Sequence, residues 1–257
     1  MSRAAREILY GVHPVREALR AGRRQAIRLH LRERSRPEVA ELAEAARTAG
    51  IPVGPIDAEG LRSLAGEEAR TQGVVLEAGP LPELDLAPLY EAASPQACLV
   101  ALDGVEDPQN VGAIARVAEA AGAEGLILTQ RHAPPLSPAL ARASAGAIEH
   151  LPVARVPNLP RALKSLKKND FWIFGAAVDG AQDLFSLEDR LLSGRLVLVL
   201  GAEGRGIRRG VRVGLDHQVR VPLSGQVESL NVSTAAAVVL FEWRRRRGPA
   251  PPPGGIA

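Results

Sequence analysis

Residues 196–207 read LVLVLGAEGRGI, and this stretch decides the fold. The apolar run Leu196–Leu200 is typical of a parallel strand that is covered on both faces. It leads directly into a turn with three glycines, Gly201, Gly204 and Gly206. Ligands of α/β sheets bind outside the carboxyl ends of the strands, so the turn predicts a ligand-binding loop. Taken alone, the turn is equally compatible with a purely structural role, and its glycine spacing is neither that of a dinucleotide fold nor that of a P-loop.

Further apolar runs on both sides of this stretch alternate with helical patterns. This alternation predicts a doubly wound α/β domain over residues 97–247. Its other strands are predicted at 99–103, 125–129, 151–156, 171–176 and 218–222, and its last helix at 231–244. The tail 248–257, rich in proline and glycine, is predicted to be disordered.

The first 79 residues alternate helix and strand signals on a smaller scale. They predict a compact α/β domain, with helices at 12–21, 37–49 and 57–64 and strands at 26–31, 53–56 and 73–78. Glycines close the first two helices, and Asp57 is placed to cap the third. The proline-rich stretch 80–96 has no sustained periodicity and predicts a semi-extended linker between the two domains.

Composition sets limits on the class of protein. No run of eighteen apolar residues occurs, so we expect no transmembrane helix. The N-terminus lacks the long apolar region of a signal peptide. Cys98 is the only cysteine among 257 residues, so no internal disulfide can form, and we expect it to be a small buried residue. A reduced, cytoplasmic location is the resulting expectation.

Arginine is unevenly distributed along the chain. Residues 1–36 contain ten arginines against three glutamates, and a second cluster, Arg244–Arg247, lies near the end. Clustered arginine is typical of proteins that bind polyanions, because guanidinium pairs bidentately with phosphate. A solvated charged surface explains the same pattern equally well.

Two other segments carry unusual polar residues at predicted strand ends. In the first, a strand ending at Asp103 is followed by Asn110, suited to cap the next helix, by Gly112, which permits a close approach, and by Arg116, a charge among apolar residues. In the other, Ser229, Asn231 and Ser233 crowd the start of the last helix, more polar residues than one cap needs. Separately, an ordinary amphipathic helix and redundant capping explain them.

Together the three segments resemble the motifs of the SpoU (TrmH) family of SPOUT methyltransferases. The matching residues are Asn110-x-Gly112-x-x-x-Arg116, then Gly201-x-Glu203-Gly204, then Pro222 and Ser229-Leu230-Asn231-Val232-Ser233. The similarity covers residues 97–247. The opening stretch 10–19 is similar to the L30e-like RNA-binding domain of ribosomal members of the family.

The resemblance implies transfer of a methyl group from S-adenosyl-L-methionine to a ribose 2′-hydroxyl of RNA, with a guanosine of 23S rRNA as the favoured target. It also implies a trefoil-knotted C-terminal domain, an exception to the usual unthreaded topology, and a homodimer formed through that domain. The implied catalytic residues are Asn110, Arg116, Glu203, Ser229 and Asn231. The implied cofactor-binding residues are Thr129, Gly201, Ala202, Gly204, Ile207, Val221 and Leu230. No metal is expected, because the histidines lack metal-ligand spacing.

Two questions stay open at this point. Arg116 is either the general base for the 2′-hydroxyl or a group that positions the ribose, since the pKa of arginine normally exceeds about 12. The alternatives to a ribosomal RNA enzyme are a tRNA methyltransferase of the same family and a non-catalytic RNA-binding protein. RNA selection is expected from the N-terminal arginines, including Arg16, Arg20, Arg23 and Arg24.

Overall fold

The computed structural model describes residues 6–32 and 37–247, and the predicted tail 248–257 lies outside these ranges. The described residues group into two compact units that interleave along the chain. The first contains residues up to Glu83 together with Asp107–Arg116 and Pro134–Pro152. The second contains Leu84–Glu106, Val117–Ala133 and the chain from Val153. The predicted domain boundaries, 1–79 and 97–247, follow the sequence instead and stay a prediction.

A four-stranded sheet forms the centre of the first unit. Its strands are β1 (Glu7–Tyr10), β2 (Ala26–Arg32), β3 (Val53–Ile56) and β4 (Val74–Ala78). They lie in the order β1-β4-β2-β3, in which only β2 and β3 are parallel. We missed β1 in the sequence because its four residues bury only Leu9 and therefore give almost no alternation.

The three helices predicted in the first 79 residues lie within one residue of their predicted limits, and the last helix ends two residues beyond its predicted end. In chain order the helices are α1 (Val12–Ala21), α2 (Pro37–Thr48), α3 (Ala58–Ala65), α4 (Leu86–Glu91), α5 (Pro108–Ala121), α6 (Pro138–Ala143), α7 (Leu159–Lys167), α8 (Asp189–Leu192), α9 (Arg209–Arg212) and α10 (Val232–Arg246). Gly22 ends α1 in the left-handed conformation, with φ 61°. Asp57 caps α3 by accepting a hydrogen bond from the Gly60 amide at 2.7 Å.

The second unit is built on a seven-stranded parallel sheet. Its strands are β5 (Cys98–Asp103), β6 (Gly125–Thr129), β7 (Val153–Val156), β8 (Trp172–Ala176), β9 (Gln182–Asp183), β10 (Leu196–Gly201) and β11 (His217–Arg220). They lie in the order β7-β6-β5-β10-β8-β11-β9. The predicted α/β fold class is confirmed, and the strand order is compatible with the knotted topology that the resemblance implies.

Strand β10 lies at the centre of this sheet and is buried along its whole length. It pairs in parallel with β5 on one side and β8 on the other. Val197 and Val199 face a cluster of buried side chains that also contains Ile127 and Ile173. Cys98 is buried at the start of β5, as predicted, and its burial raises the pKa of the thiol.

The predicted semi-extended linker is wrong in one part. Leu86–Glu91 form helix α4, and Leu89 is buried. Asp85 stands at the N-cap position and Pro88 lies in the first turn, where the missing N–H of proline costs nothing. High proline content and the lack of periodicity predict a linker over 80–96, but Pro88 in this position is compatible with a helix start.

The arginine cluster at the end of the chain is largely structural. The Arg246 guanidinium is buried and donates hydrogen bonds to the carbonyl oxygens of Leu184 (3.2 Å) and Phe185 (3.0 Å) and to Glu242 (2.7 Å). Arg245 also pairs with Glu242, at 2.8 Å. Arg246 therefore ties helix α10 to the loop before α8 and is not available to a polyanion.

No helix within the described ranges is both long and apolar enough to cross a membrane.

These ion pairs predict an acid-sensitive contribution to stability. Hydrogen bonds from Arg245 and Arg246 lower the pKa of Glu242 from 4.5 to about 2. A carboxyl with a lowered pKa stabilises the fold above its unfolded pKa, and the contribution is lost as the pH falls towards about 2. Glu242→Gln should therefore lower the free energy of unfolding by about 2 kcal/mol at pH 7, with a smaller difference from wild type at pH 3, measured by urea denaturation.

The matched control is Glu44→Gln, which breaks the exposed pair with Arg47. We expect it to change the free energy of unfolding by less than about 0.5 kcal/mol. An equal loss of stability in both variants at pH 7 would contradict the structural role assigned to Glu242.

Candidate active site

Three neighbouring strands of the second unit end side by side. Strand β8 lies between β10 and β11, so its last residue, Ala176, lies between Gly201 and the end of β11 at Arg220. Adjacent strands are about 4.8 Å apart, so all three ends lie within about 10 Å. Of the predicted cofactor-binding residues, Gly201 is the last residue of β10 and Val221 follows β11. This edge of the sheet is therefore the candidate ligand site.

The turn after β10 has room only for glycine at its first position. A Cβ on Gly201 would lie 2.1 Å from the carbonyl carbon of Gly206 and 2.3 Å from the amide nitrogen of Ile207. The Gly206 amide donates to the Ala202 carbonyl at 2.8 Å, and both Gly204 and Gly206 have positive φ. A backbone hydrogen bond therefore closes the turn, and no side chain at Gly201 covers the backbone at the end of β10.

A buried carboxylate fixes the far end of the same turn. Asp103, the last residue of β5, accepts hydrogen bonds from the Arg208 backbone amide and from its Nε, both at 2.8 Å, and lies 2.6 Å from its Nη2. The Asp103 side chain is completely buried. We missed this function in the sequence, although an acidic residue at the end of an apolar strand is a usable signal.

The second and third motifs are joined by a side-chain hydrogen bond. The Asn231 amide donates to the Glu203 carboxylate. Its Oδ1 accepts from the amides of Ser233 (2.9 Å) and Thr234 (3.3 Å), so Asn231 is the N-cap of α10. Ser229 is exposed in the preceding loop. Glu203 and Asn231, predicted separately as catalytic residues, are therefore in direct contact, whereas Ser229 lies apart in the loop.

The segment after β8 completes this edge, and sequence reasoning missed it. The Ala177 amide donates to the Val219 carbonyl at 2.9 Å, and Arg220 Nη1 donates to the Gly180 carbonyl at 3.0 Å. A Cβ on Gly180 would lie 2.5 Å from the carbonyl carbon of Val219, so the segment runs tightly against β11. Apart from Asp179, its residues are small and apolar like those of many strand ends, so only the order of the strands reveals their place.

Of the other predicted cofactor-binding residues, Thr129 belongs to a different strand and Ile207 has a buried side chain. Thr129 ends β6, which is separated from β10 by β5, and its hydroxyl donates to the Arg131 carbonyl. Thr129 lines a depression of about 370 Å³ together with Asn158 and Arg208, and Arg208 follows the Gly201 turn. The Ile207 side chain is buried in the core, so only its backbone faces the turn. Ala202, Gly204 and Leu230 lie in the loops after β10 and β11, where the resemblance placed them.

Helix α5 carries the first motif, within the first unit. Asp107 accepts a hydrogen bond from the Gln109 amide at 3.0 Å and caps the helix, so the predicted capping role of Asn110 is wrong. Asn110 lies in the first turn instead. Gly112 allows a close approach, as predicted, because a Cβ there would lie 2.4 Å from the Ala143 Cβ. Arg116 is exposed and forms no hydrogen bond or ion pair with any residue in the described ranges.

The four arginines predicted to bind RNA fall into two pairs. Arg16 is half-buried and Arg20 is exposed on helix α1. Arg23 instead donates to the backbone carbonyl of Leu151 at 2.8 Å. The side chain of Arg24 is only 1% exposed and pairs with Glu149 at 2.8 Å. Because Arg24 is buried, its guanidinium is not accessible to RNA in this structure. The prediction that Arg24 binds RNA is therefore not supported.

The edge formed by β8, β10 and β11 fits S-adenosylmethionine. It offers open backbone groups and small side chains, notably at Ala176, Gly201 and Ala202. Backbone N–H and C=O groups suit the uncharged hydrogen-bonding edge of an adenine, and the glycines allow a ligand close access. Among the described residues, no group of three or more His, Cys, Asp or Glu side chains is arranged to hold a metal ion.

Comparisons with known proteins agree with this geometry. The profile of the SpoU rRNA Methylase family matches residues 97–241, and that for RNA 2'-O ribose methyltransferase substrate binding matches residues 8–84. The 23S rRNA (guanosine-2'-O-)-methyltransferase RlmB of Pseudomonas aeruginosa is 40% identical over 247 residues, which are 95% of this chain and 98% of the relative. RlmB of Ralstonia nicotianae is 38% identical with the same coverage.

A solved structure shares the whole fold. The SpoU methyltransferase AviRb from Streptomyces viridochromogenes, in complex with AdoMet, has a TM-score of 0.79 and 26% identity, covering 96% of this chain and 92% of that chain. Fold and site together define an S-adenosylmethionine-dependent RNA methyltransferase of the SPOUT class. Within that class, the chain belongs to the SpoU rRNA methylase family, and the resemblance seen in the sequence is confirmed.

The tight turn predicts a cofactor-binding variant. Gly201→Ala should weaken the binding of S-adenosylmethionine at least about tenfold, because the new Cβ would displace the Gly206–Ile207 backbone. Isothermal titration calorimetry measures the affinity, and circular dichroism checks that the variant is folded. Gly194→Ala is the control, since nothing lies within 4 Å of its Cβ position. Unchanged affinity in folded Gly201→Ala would contradict the assignment of this turn.

Proposed function

We propose that the protein transfers the methyl group of S-adenosylmethionine to the ribose 2′-hydroxyl of a guanosine in 23S rRNA. The observation that carries the proposal is the joined pair of motifs at the strand ends, where the Gly201 turn and the α10 N-cap meet through Glu203 and Asn231. The RlmB relatives, which carry this activity in their names, support the substrate, because they match both the catalytic and the substrate-binding parts.

The second and third motifs hold the cofactor in this proposal. Bound S-adenosylmethionine supplies an electrophilic methyl group on a sulfonium. The backbone around Gly201, Val221 and Leu230 would hold the cofactor, and the segment Ala176–Gly180 would add to the wall of the site. The contact of Asn231 with Glu203 stiffens the loop that precedes α10, so the loop keeps its shape when the ligand enters.

Arg116 acts on the ribose. A 2′-hydroxyl is a poor nucleophile until its proton is removed or strongly hydrogen-bonded. A guanidinium donates hydrogen bonds and does not accept them, so Arg116 serves best by gripping a phosphate and orienting the ribose, with water accepting the proton. Its exposure and lack of a partner in the described part of the chain leave the guanidinium available for this contact. Asn110, on the same helix, is proposed to shape the ribose pocket.

Arg116 variants test both the activity and the role. Arg116→Ala should lower kcat by a factor of about 10² or more while leaving the affinity for S-adenosylmethionine within about twofold. Tritiated methyl incorporation into 23S rRNA measures kcat, and calorimetry measures affinity. Arg116→Lys keeps a positive charge and should retain part of the activity if the group positions phosphate. Glu119→Gln, an exposed change on the same helix, is the control; full turnover in Arg116→Ala would sink the assignment.

The substrate-binding part selects the RNA in this proposal. Arg16 and Arg20 present guanidinium groups on one face of α1, where phosphate contacts make binding salt-dependent. Aromatic residues make up only 3% of the chain, so backbone and shape readout of a structured RNA is favoured over base stacking.

We also propose that the protein is cytoplasmic and forms a homodimer through its methyltransferase domain. Sedimentation equilibrium would test the dimer.

The N-terminal arginines predict a change in salt dependence. The double variant Arg16→Ala, Arg20→Ala should bind 23S rRNA fragments about tenfold more weakly or worse, and its plot of log affinity against log salt should be shallower by about one to two. Filter binding across a salt series measures both quantities. Arg47→Ala on α2 removes an exposed arginine elsewhere in the same unit and should change neither. Tight selective binding to tRNA instead would favour the tRNA alternative, and binding without methyl transfer the non-catalytic one.

A further inference from the structure

A buried charge cluster joins residues that lie more than 120 positions apart in the chain. Arg24 Nε lies 3.0 and 2.8 Å from the two carboxylate oxygens of Glu149, and its Nη1 contacts Glu7 and the carbonyl of Gly79 (3.2 Å). The two side chains are 1% and 0% exposed. Arg23 adds hydrogen bonds to the backbone carbonyls of Glu149 (3.2 Å) and Leu151 (2.8 Å).

A charge pair this deeply buried does little for stability as such. Removing two charges from water is costly, and apolar residues of similar size often serve stability as well or better. What a buried pair can supply is a defined geometry, because a misplaced partner leaves an uncompensated charge. Here it fixes Glu149, in the matched methylase part, against Arg24, in the matched substrate-binding part.

The segment around Glu149, residues 143–150, packs against helix α1. Gly146 has φ 90°, and a Cβ there would lie 2.7 Å from the Glu17 Cβ and 3.2 Å from the His13 carbonyl oxygen. The His150 Nε2 lies 2.9 Å from a carboxylate oxygen of Glu17. Helix α1 is the element that carries Arg16 and Arg20, the proposed RNA contacts.

The other end of the same segment packs against helix α5. A Cβ on Gly112 would lie 2.4 Å from the Ala143 Cβ and 2.9 Å from the Ser144 amide nitrogen, so the two backbones are in direct contact. Ser144 is fully buried; its hydroxyl donates to Ala141 at 3.0 Å and accepts from the Ile148 amide at 3.3 Å, which holds the turn together. Arg116 lies one helical turn after Gly112 on the same face of α5.

We propose that Glu149 is a positioning residue: through its pair with Arg24 it holds segment 143–150 between α1 and α5, and so couples RNA bound on α1 to the placement of Arg116. The proposal rests on the proposed function. Its physical basis is a continuous chain of contacts. Helix α1 packs against segment 143–150, and this segment packs against Gly112, one helical turn before Arg116. Every contact in this chain belongs to one compact unit. It also explains why two arginines that the sequence assigned to RNA point inward.

The test uses the full-length protein in three variants: Arg24→Gln, Glu149→Gln and the double substitution. Steady-state kinetics on 23S rRNA should show kcat lowered about tenfold in each single variant, with the affinity for S-adenosylmethionine within about twofold of wild type. Hydrogen exchange should become faster in peptides covering residues 108–116. The double variant should be no slower than the worse single one, because residues acting through one contact are non-additive. Arg47→Gln with Glu44→Gln, an exposed pair in the same unit, is the matched control.

A milder variant keeps the test decisive if the buried substitutions unfold the protein. His150→Gln breaks a partly exposed contact between the segment and α1, and it should move kcat and exchange at 108–116 in the same direction by a smaller factor. Folded Glu149→Gln, or His150→Gln in its place, with wild-type kcat and unchanged exchange at 108–116 would overturn the proposal. A wild-type protein that does not methylate 23S rRNA would refute the proposed function alone, since the exchange measurement does not depend on activity.

Discussion

The parallel pairing of β10 with β5 and β8 is the constraint on which the site depends. A strand buried on both faces and hydrogen-bonded on both edges leaves its end little freedom. Gly201 therefore starts its turn at a fixed place, and Asp103, at the end of the neighbouring β5, fixes where the turn stops. The ligand-facing backbone is thus defined by the sheet, with few side chains needed to shape it.

Local patterns predicted the elements well because each element is decided by nearby residues. Val12, Val15 and Ala18 share one buried stripe, and α1 has the predicted limits. Leu196–Leu200 can be little other than a buried strand. Prediction failed where the pattern was short or ambiguous. Strand β1 buries only one side chain, and Pro88 is compatible both with a linker and with the first turn of α4.

The site was only partly readable because its composition depends on strand order. Gly201, Glu203 and Asn231 carry unusual residue types, so the sequence marked them. The segment after β8 carries ordinary small residues, and its importance appears only when β8 is found between β10 and β11. Thr129 ends β6, which β5 separates from β10. Only the structure shows that it lines a depression together with Arg208, which follows the Gly201 turn.

Arginine shows most clearly why charge patterns need a structure. Arg195 donates to the carbonyls of Tyr90 and Ala93, both at 2.6 Å, and Arg246 and Arg24 are likewise held by internal partners. Arg116 and Arg20 belong to the same residue type and point outward. A guanidinium has five N–H donors. It can therefore donate to several backbone carbonyls inside a protein as readily as it binds phosphate at the surface. Which role it takes is set by the carbonyls and carboxylates that folding brings near it, and the inward arginines of this chain mark where distant segments are joined.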